Sequence, residues 1–264
     1  MTEPAPKPPH LAPEFGAQFE DRSVAAAYRA RPPYPDQVFD ILTGLLPAGP
    51  ARALELGCGS GDLTLGLASR VTRLDALEPS AAMLEIARPR AAAHGNISWV
   101  AQQAEVFEPR DRYALVVAAE SLHWMEWSVV LPRLARWLEP GASLAVVERS
   151  FTGLPFEPEV GALIARFSTN RVFQKSDLID ELAARGLFAE RGRRRTRSVA
   201  FAQSVDDYVE SFHSRNGFSR ERMTPEDAAA FDRGVRDAVL ACCPDGVVRG
   251  ELSARVVWGA PRSE

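Results

Sequence analysis

The residues best placed to do chemistry stand in one short stretch, Leu54-Glu55-Leu56-Gly57-Cys58-Gly59-Ser60-Gly61-Asp62-Leu63-Thr64. Glycines at alternate positions let the backbone turn sharply and let a ligand lie against bare amides, and the helix expected after them turns its N-terminus toward negative charge. This suits a nucleotide-like molecule. A dinucleotide site of the Gly-x-Gly-x-x-Gly kind needs a third glycine where Asp62 stands, so the spacing better fits a ligand without a pyrophosphate. Glu78 follows Gly61 by seventeen residues, at the end of Asp75-Ala76-Leu77-Glu78-Pro79-Ser80. A carboxylate there can accept protons from both hydroxyls of a ribose, and it would repel a phosphorylated one. Ser80, not Glu78, is the natural cap of the next helix.

Such residues work only if several strands end at one edge. Short apolar runs at 53–56, 73–77, 97–101, 115–119 and 143–147 alternate with segments of helical spacing, clearest at 81–93 and at 129–138, the latter stopped by Glu139-Pro140-Gly141. Alternation of this kind predicts an α/β fold, an open, doubly wound, mostly parallel sheet with crossover helices. Residues 19–46 carry two helices joined by a stiff elbow, Arg31-Pro32-Pro33-Tyr34-Pro35, because the prolines remove backbone donors and fix φ. Past residue 151 the regularity changes. A capped helix at 176–185 ends at Gly186, residues 187–201 read as extended, and 254–258 as a last strand, seven in all. Helical segments at 205–212 and 225–240 fall between those final two strands and read as a lid, about 203–245, placed over the site. Residues 1–15, rich in proline, read as a disordered leader, and 16–264 as one domain.

The composition allows a single substantial core in 264 residues, 46% of them hydrophobic. A formal charge of −4, from 31 basic against 35 acidic residues, provides no global field for nucleic acid or an anionic membrane. The run Arg191-Gly192-Arg193-Arg194-Arg195-Thr196-Arg197 lacks interleaved aromatics and reads as a solvated strand edge. No apolar run approaches the roughly 20 residues that span a bilayer. Cys58, Cys242 and Cys243 lack metal-ligand spacing, and an adjacent pair rarely closes a comfortable disulfide, so no metal is expected and a cytoplasmic location fits.

The segment Glu55 to Gly61 resembles the first motif of the class I S-adenosylmethionine-dependent methyltransferases. That resemblance implies a Rossmann-like fold and S-adenosyl-L-methionine as cofactor, with S-adenosyl-L-homocysteine as product. It further implies that Glu55, Gly57, Cys58, Gly59 and Gly61 surround the methionine part, that Glu78 with Pro79 holds the ribose, and that Gln103, Ala104 and Glu105 lie beside adenine. Gln103 stands where the family usually has an acid, and Ala104 would act through its amide. Tyr28 and Ala119 complete the implied cofactor contacts. His123-Trp124, Tyr28-Arg29-Ala30-Arg31-Pro32-Pro33-Tyr34-Pro35 and Val257-Trp258-Gly259 are similar to the trans-aconitate methyltransferase-like (type 11) branch, and the likeness runs from residue 19 to 261.

Ligands of open parallel sheets gather beyond the carboxyl ends of strands, so an acceptor should meet the cofactor near His123. An alcohol or phenol would benefit from a base such as His123, whereas a carboxylate is already ionised and needs none. The alternative is that His123 only ends the strand. Trp124 either walls the pocket, faces the sulfonium cation or packs. Arg31 and Arg149 either pair a carboxylate or are solvated, and His213 either lines the acceptor pocket or packs. The expected activity is methyl transfer to a small organic molecule, with the branch favouring the oxygen of an acid, in a monomer or homodimer. The competing readings are a natural-product tailoring N-, C- or hydroxyl O-methyltransferase, a protein that binds the cofactor without transferring methyl, and a dinucleotide oxidoreductase.

Overall fold

The computed structural model describes residues 7–262. The chain enters the domain through short helices α1 (Pro13–Gly16), α2 (Arg22–Ala27) and α3 (Gln37–Thr43), with single 3-10 turns at Pro9–Leu11, Ala17–Glu20 and Tyr28–Ala30. The alternating part follows: β1 (Arg52–Leu56), α4 (Asp62–Ala68), β2 (Arg73–Leu77), α5 (Ala81–Arg90), β3 (Ile97–Val100), β4 (Tyr113–Ala119), α6 (Trp127–Trp137) and β5 (Leu138–Thr152). After it come α7 (Glu157–Phe167), α8 (Leu178–Ala184), β6 (Phe188–Arg195), β7 (Val199–Ser204), α9 (Val205–His213), α10 (Pro225–Cys242) and β8 (Val247–Pro261).

The strands form one sheet in the order β3-β2-β1-β4-β5-β8-β6, with β7 also on β8. The first five are parallel and β8 runs antiparallel to β5. Strand alternation sorts the core into two layers. Leu54, Leu56, Val116 and Ala118 face α6 and α8, while Ala53, Leu115 and Val117 face α3 and α4. The order reverses between β1 and β4, and the crevice beyond their carboxyl ends is where such a sheet holds ligands.

Eight strands are present where seven were expected. The extended segment 187–201 breaks at Thr196: its N–H still donates to Ala254 O, but its own hydroxyl, not a carbonyl, accepts from Ala254 N–H. Thr196 is buried, the chain kinks there, and β6 and β7 lie end to end along β8. β5 and β8 are longer than the sequence indicated because each finds a ladder partner along its length; residues 138–141, read as a helix stop, already belong to β5.

The disordered-leader reading does not hold for residues 7–15; residues 1–6 lie outside the described ones. Leu11 joins the core that contains Leu54 and Trp127, and the carbonyl of His10 accepts from Asn170 Nδ2 at 3.0 Å. Lys7 Nζ donates to Met125 O at 3.0 Å. Docked prolines lose little conformational freedom on folding, which lets so polar a stretch remain in place. The inserted helices α9 and α10 pack with α7, which the sequence reading left outside the lid, around Phe156, Phe212 and Phe231. Among the described residues no helix is long and apolar enough to cross a membrane, and no group of three or more potential ligand side chains could hold a metal ion.

Candidate cofactor and acceptor site

A cleft of about 440 Å³ opens beyond the carboxyl ends of β1, β2 and β4. Its floor is the loop after β1, in which Gly57, Gly59 and Gly61 take φ values of 67°, 54° and 85°, a region that side chains enter only at a cost. The sharp turns bring this loop against its neighbours. A Cβ on Gly57 would lie 2.7 Å from that of Ser121, whose hydroxyl donates to Leu56 O at 2.5 Å. Cys58 N–H donates to Leu77 O, which continues the β1–β2 ladder into the loop.

Glu78, at the end of β2, accepts from Gly59 N–H at 2.9 Å and from Ser80 N–H at 3.0 Å, so the loop and the second strand are tied by one carboxylate. Burial raises its pKa, with these two donors opposing. Glu55, on the last turn of the β1 pleat, is 1% exposed and accepts from Thr64 Oγ1 at 2.7 Å. Burial pushes it up to about 8 in spite of that bond. Among the described residues neither Glu55 nor Glu78 has a Lys or Arg ion-pair partner, yet both line the cleft. Seven carboxylates and only three basic side chains border it. A cationic ligand is what such a lining balances.

Of the cofactor residues expected from sequence, Tyr28, Glu55, Gly57, Cys58, Gly59, Glu78, Pro79, Gln103, Ala104, Glu105 and Ala119 all border the cleft. Gly61 does not. It caps α4 from behind, and a Cβ there would press on Trp99 and Ala87 at 3.3 and 3.4 Å, so it serves the close packing of α4 and α5 behind the loop. Glu105 is oriented by accepting from Glu126 N–H at 2.7 Å.

The acceptor-side residues divide. Trp124 is on the cleft wall, held between Phe19 at 5.4 Å and the His123 ring at 4.6 Å. Arg31 also lines the cleft, stacked 4.1 Å over Tyr28. His123 is half-buried on the turn Leu122–Trp124 and borders neither of the two cavities described here. Burial drives its pKa down to about 4, against the pull of Glu120, so at neutral pH it carries no charge. His213 is a correction to the sequence reading: it is fully buried, with Nδ1 at 2.8 Å from Phe218 O and Nε2 at 2.6 Å from Asp232 Oδ1, and it ties the lid helices together without bordering either cavity.

Sequence reasoning named Arg31 and Arg149 as possible partners of a carboxylate but missed that the carboxylate is the chain's own Glu120. Glu120 follows β4 with φ 52°, unusual for a non-glycine residue, and receives Arg149 Nη2 at 2.6 Å, Nε at 3.2 Å and the Arg149 N–H at 3.1 Å. Arg149 Nη1 donates to Pro32 O at 2.5 Å, and its guanidinium stacks 4.4 Å over Tyr34. Burial alone would raise the Glu120 carboxyl; Arg149, with Arg31 at 3.5 Å, overrides it and holds it at about 2. The only signal in the sequence was Arg149 just past a strand end. Lys7, Glu20 and Asp62, also on the cleft, gave none.

A doubly wound sheet with a glycine loop after its first strand and an acid closing its second defines the class I methyltransferase architecture. Residues 53–141 match the family model described as a methyltransferase domain. An uncharacterized methyltransferase of Mycobacterium tuberculosis is 32% identical over 145 residues, 54% of this chain and 58% of that protein. The trans-aconitate 2-methyltransferase of Streptomyces avermitilis is 35% identical over 130 residues, 46% of each chain, and that of Rhodococcus jostii is 31% identical over 176, 63% of this chain and 65% of its own. The chain thus spans about half the length of the first of these curated relatives. A solved structure from Anaeromyxobacter dehalogenans with a type II methyltransferase assignment superposes with a TM-score of 0.62 at 25% identity, covering 88% of this chain and 99% of its own. The chain is similar to the class I S-adenosylmethionine-dependent methyltransferases, the trans-aconitate 2-methyltransferases among them.

The cleft fits the family's cofactor on its own chemistry. Glu55, buried without a cation, is suited to an ammonium, the open lone pairs of Glu78 to ribose hydroxyls, and the acidic lining to a sulfonium. The raised pKa of Glu55 has a measurable consequence. Below about pH 8 the carboxyl must release a proton before it can receive an ammonium, so affinity for S-adenosylmethionine is expected to climb with pH, by up to about tenfold per unit, and to level off above 8. Titration calorimetry between pH 6 and 9 reads this, and Glu55→Gln should bind weakly with a flat profile. The same proton works on folding with opposite sign to a salt-bridged acid. Between the ordinary 4.5 and about 8 the folded protein holds a proton that the unfolded chain has lost, so the cofactor-free fold loses stability as pH rises across that window, and the Gln variant escapes this loss.

Proposed function

We propose that this protein is an enzyme that binds S-adenosyl-L-methionine in the cleft over the glycine loop and transfers its methyl group to a carboxylate oxygen of a small organic acid. The observation that carries the reading is the pair of cation-free carboxylates, Glu55 and Glu78, at adjacent strand ends around Gly57–Gly59. The trans-aconitate 2-methyltransferases of Streptomyces and Rhodococcus support an acid as acceptor. When bound, the cofactor supplies an electrophilic methyl carbon on a sulfonium.

The chain's own contribution is placement. Glu55 and Glu78 fix the two ends of the ligand relative to the sheet, Tyr28 covers it from the helical elbow, and Trp124 with Met125 forms a dry wall on the β4 side. In-line displacement gains most from alignment and exclusion of water. The acceptor oxygen forms a bond to the methyl carbon as the carbon–sulfur bond breaks and its electron pair stays on sulfur, giving an ester and S-adenosylhomocysteine with no proton to remove. A neutral His123 off the cleft wall accords with chemistry that needs no base.

The test is incubation of the full chain with methyl-labelled cofactor and a panel of small acids, alcohols and amines. Label is expected in a product that base hydrolysis releases as methanol. Label in a base-stable product would replace the acid with an alcohol, amine or carbon acceptor, and binding of NAD without S-adenosylmethionine would overturn the reading altogether.

A further inference from the structure

Glu55 is held by a group that the cleft does not reach. Its Oε2 receives the Thr64 hydroxyl at 2.7 Å, and among the described residues nothing else bonds to the side chain. Oε1 has no partner there and is not sealed off from the cleft that Glu55 lines. Thr64 itself stands in the first turn of α4, fully buried, and borders neither of the two cavities. A threonine in a helix ordinarily turns its hydroxyl back to a carbonyl of the preceding turn. Here the carbonyl four residues back, Ser60 O, receives Arg90 Nη1 at 2.7 Å, and the Thr64 hydroxyl goes to the carboxylate instead.

The other groups around Glu55 give its charge no help. Its neighbours on the flanking strands are the apolar Ala76 and Val117. Asp62 at the start of α4 and Glu78 at the end of β2 both repel the carboxylate. The Tyr34 phenol and the Cys58 thiol, within reach of that charge, are kept protonated by their own burial. Among these groups Thr64 alone favours the ionised form.

We infer that Thr64 is a positioning residue for the amino-acid end of the cofactor: by holding one oxygen of Glu55, its hydroxyl leaves the other fixed toward the ligand's ammonium. This rests on the cofactor reading above and adds to it a residue that touches no ligand. A carboxylate already locked by one hydrogen bond presents its second oxygen without first losing rotamer freedom. The same bond favours the charged carboxylate that an ammonium needs, so losing the hydroxyl acts twice, on aim and on charge.

Calorimetry on the full chain tests this with two probes, S-adenosylhomocysteine and methylthioadenosine, the second keeping the nucleoside and the sulfur but lacking the amino acid. Thr64→Val, which keeps the shape and removes the hydroxyl, should bind S-adenosylhomocysteine about tenfold more weakly at pH 7, with methylthioadenosine affinity within about twofold of wild type. The pH profile should move as well. Wild-type affinity for S-adenosylhomocysteine levels off near pH 8, whereas the valine variant should still be climbing at pH 9, and Thr64→Ser should restore both the affinity and the plateau. Equal weakening of the two probes would make Thr64 a support of the loop and would overturn the inference. So would valine-variant affinity within twofold of wild type, an unmoved plateau, or a serine variant no better than valine. Where wild type binds methylthioadenosine too weakly to read, the plateau and the serine rescue decide, and should the valine variant not fold, Thr64→Ala stands in for it on the same criteria. Wild-type protein that binds no S-adenosylhomocysteine would instead mark failure of the cofactor reading, and this one falls with it.

Discussion

Replacing Gly59 with valine is expected to weaken binding of S-adenosylmethionine and S-adenosylhomocysteine by about 100-fold or more, equivalent to about 2.7 kcal/mol. Three costs converge at this position. With φ at 54°, a β-branched side chain enters a backbone region that disfavours it by about 1–2 kcal/mol. Even an alanine Cβ would sit 3.4 Å from Cε1 of Tyr28, and the two valine methyls reach beyond it into the cleft that Tyr28 covers. The Gly59 N–H that fixes Glu78 at 2.9 Å would shift with the loop, so the ribose-side carboxylate would lose its aim as well. Gly59→Ala should lie between wild type and valine. Calorimetry with the product cofactor measures the loss, and far-ultraviolet circular dichroism should show a retained fold, because Gly59 faces the cleft and not the core. A valine variant with affinity within twofold of wild type would remove the loop from the site.

The second large effect concerns stability. Arg149→Ala should cost about 3 kcal/mol, since removing one partner of a buried pair strands the other charge. Arg149 has only 4% of its side chain exposed and Glu120 25%, which places the loss at the lower end of the range for fully enclosed pairs. The variant also frees Pro32 O and uncovers Tyr34, loosening the elbow that carries Tyr28 and Arg31. The pH dependence separates this from simple loss of packing. Glu120, held at about 2 in the folded protein, contributes stability that is fully present above its ordinary 4.5 and fades as pH falls toward 2. The gap in unfolding free energy between wild type and Arg149→Ala should therefore be widest above pH 5 and narrow on acidification; urea titrations at pH 3, 5 and 7 read it. Arg149→Ala together with Glu120→Ala should recover part of the loss, because the stranded carboxylate is gone. A gap unchanged between pH 7 and pH 3 would show that the pair acts through shape alone.

What could be read from the chain and what could not divides along physical lines. The alternation of apolar runs and helical spacing in residues 53–147, the turns at Gly57 and Gly59 and the acid ending the second run are local signals, set by backbone preference and strand period, and they located the sheet and the glycine loop with its neighbouring acid, whereas Tyr28, Gln103, Ala104, Glu105 and Ala119 were reached only through the family resemblance. Gly61 has the same composition signal as its neighbours, and only packing against Trp99 and Ala87 shows that it turns away. His123 and His213 carry the residue type that does chemistry; burial and hydrogen-bond partners, which depend on residues far along the chain, leave the first uncharged and off the cleft wall and lock the second inside the lid. Residues 7–15 look unable to order themselves and are ordered by a surface they do not encode. The sequence by itself determined the periodicities and the glycine turns, because those are properties of neighbours. Charge pairing belongs to the tertiary structure: Glu120, Arg149 and Arg31 come from three separate segments, and only folding brings the two guanidinium groups onto one carboxylate.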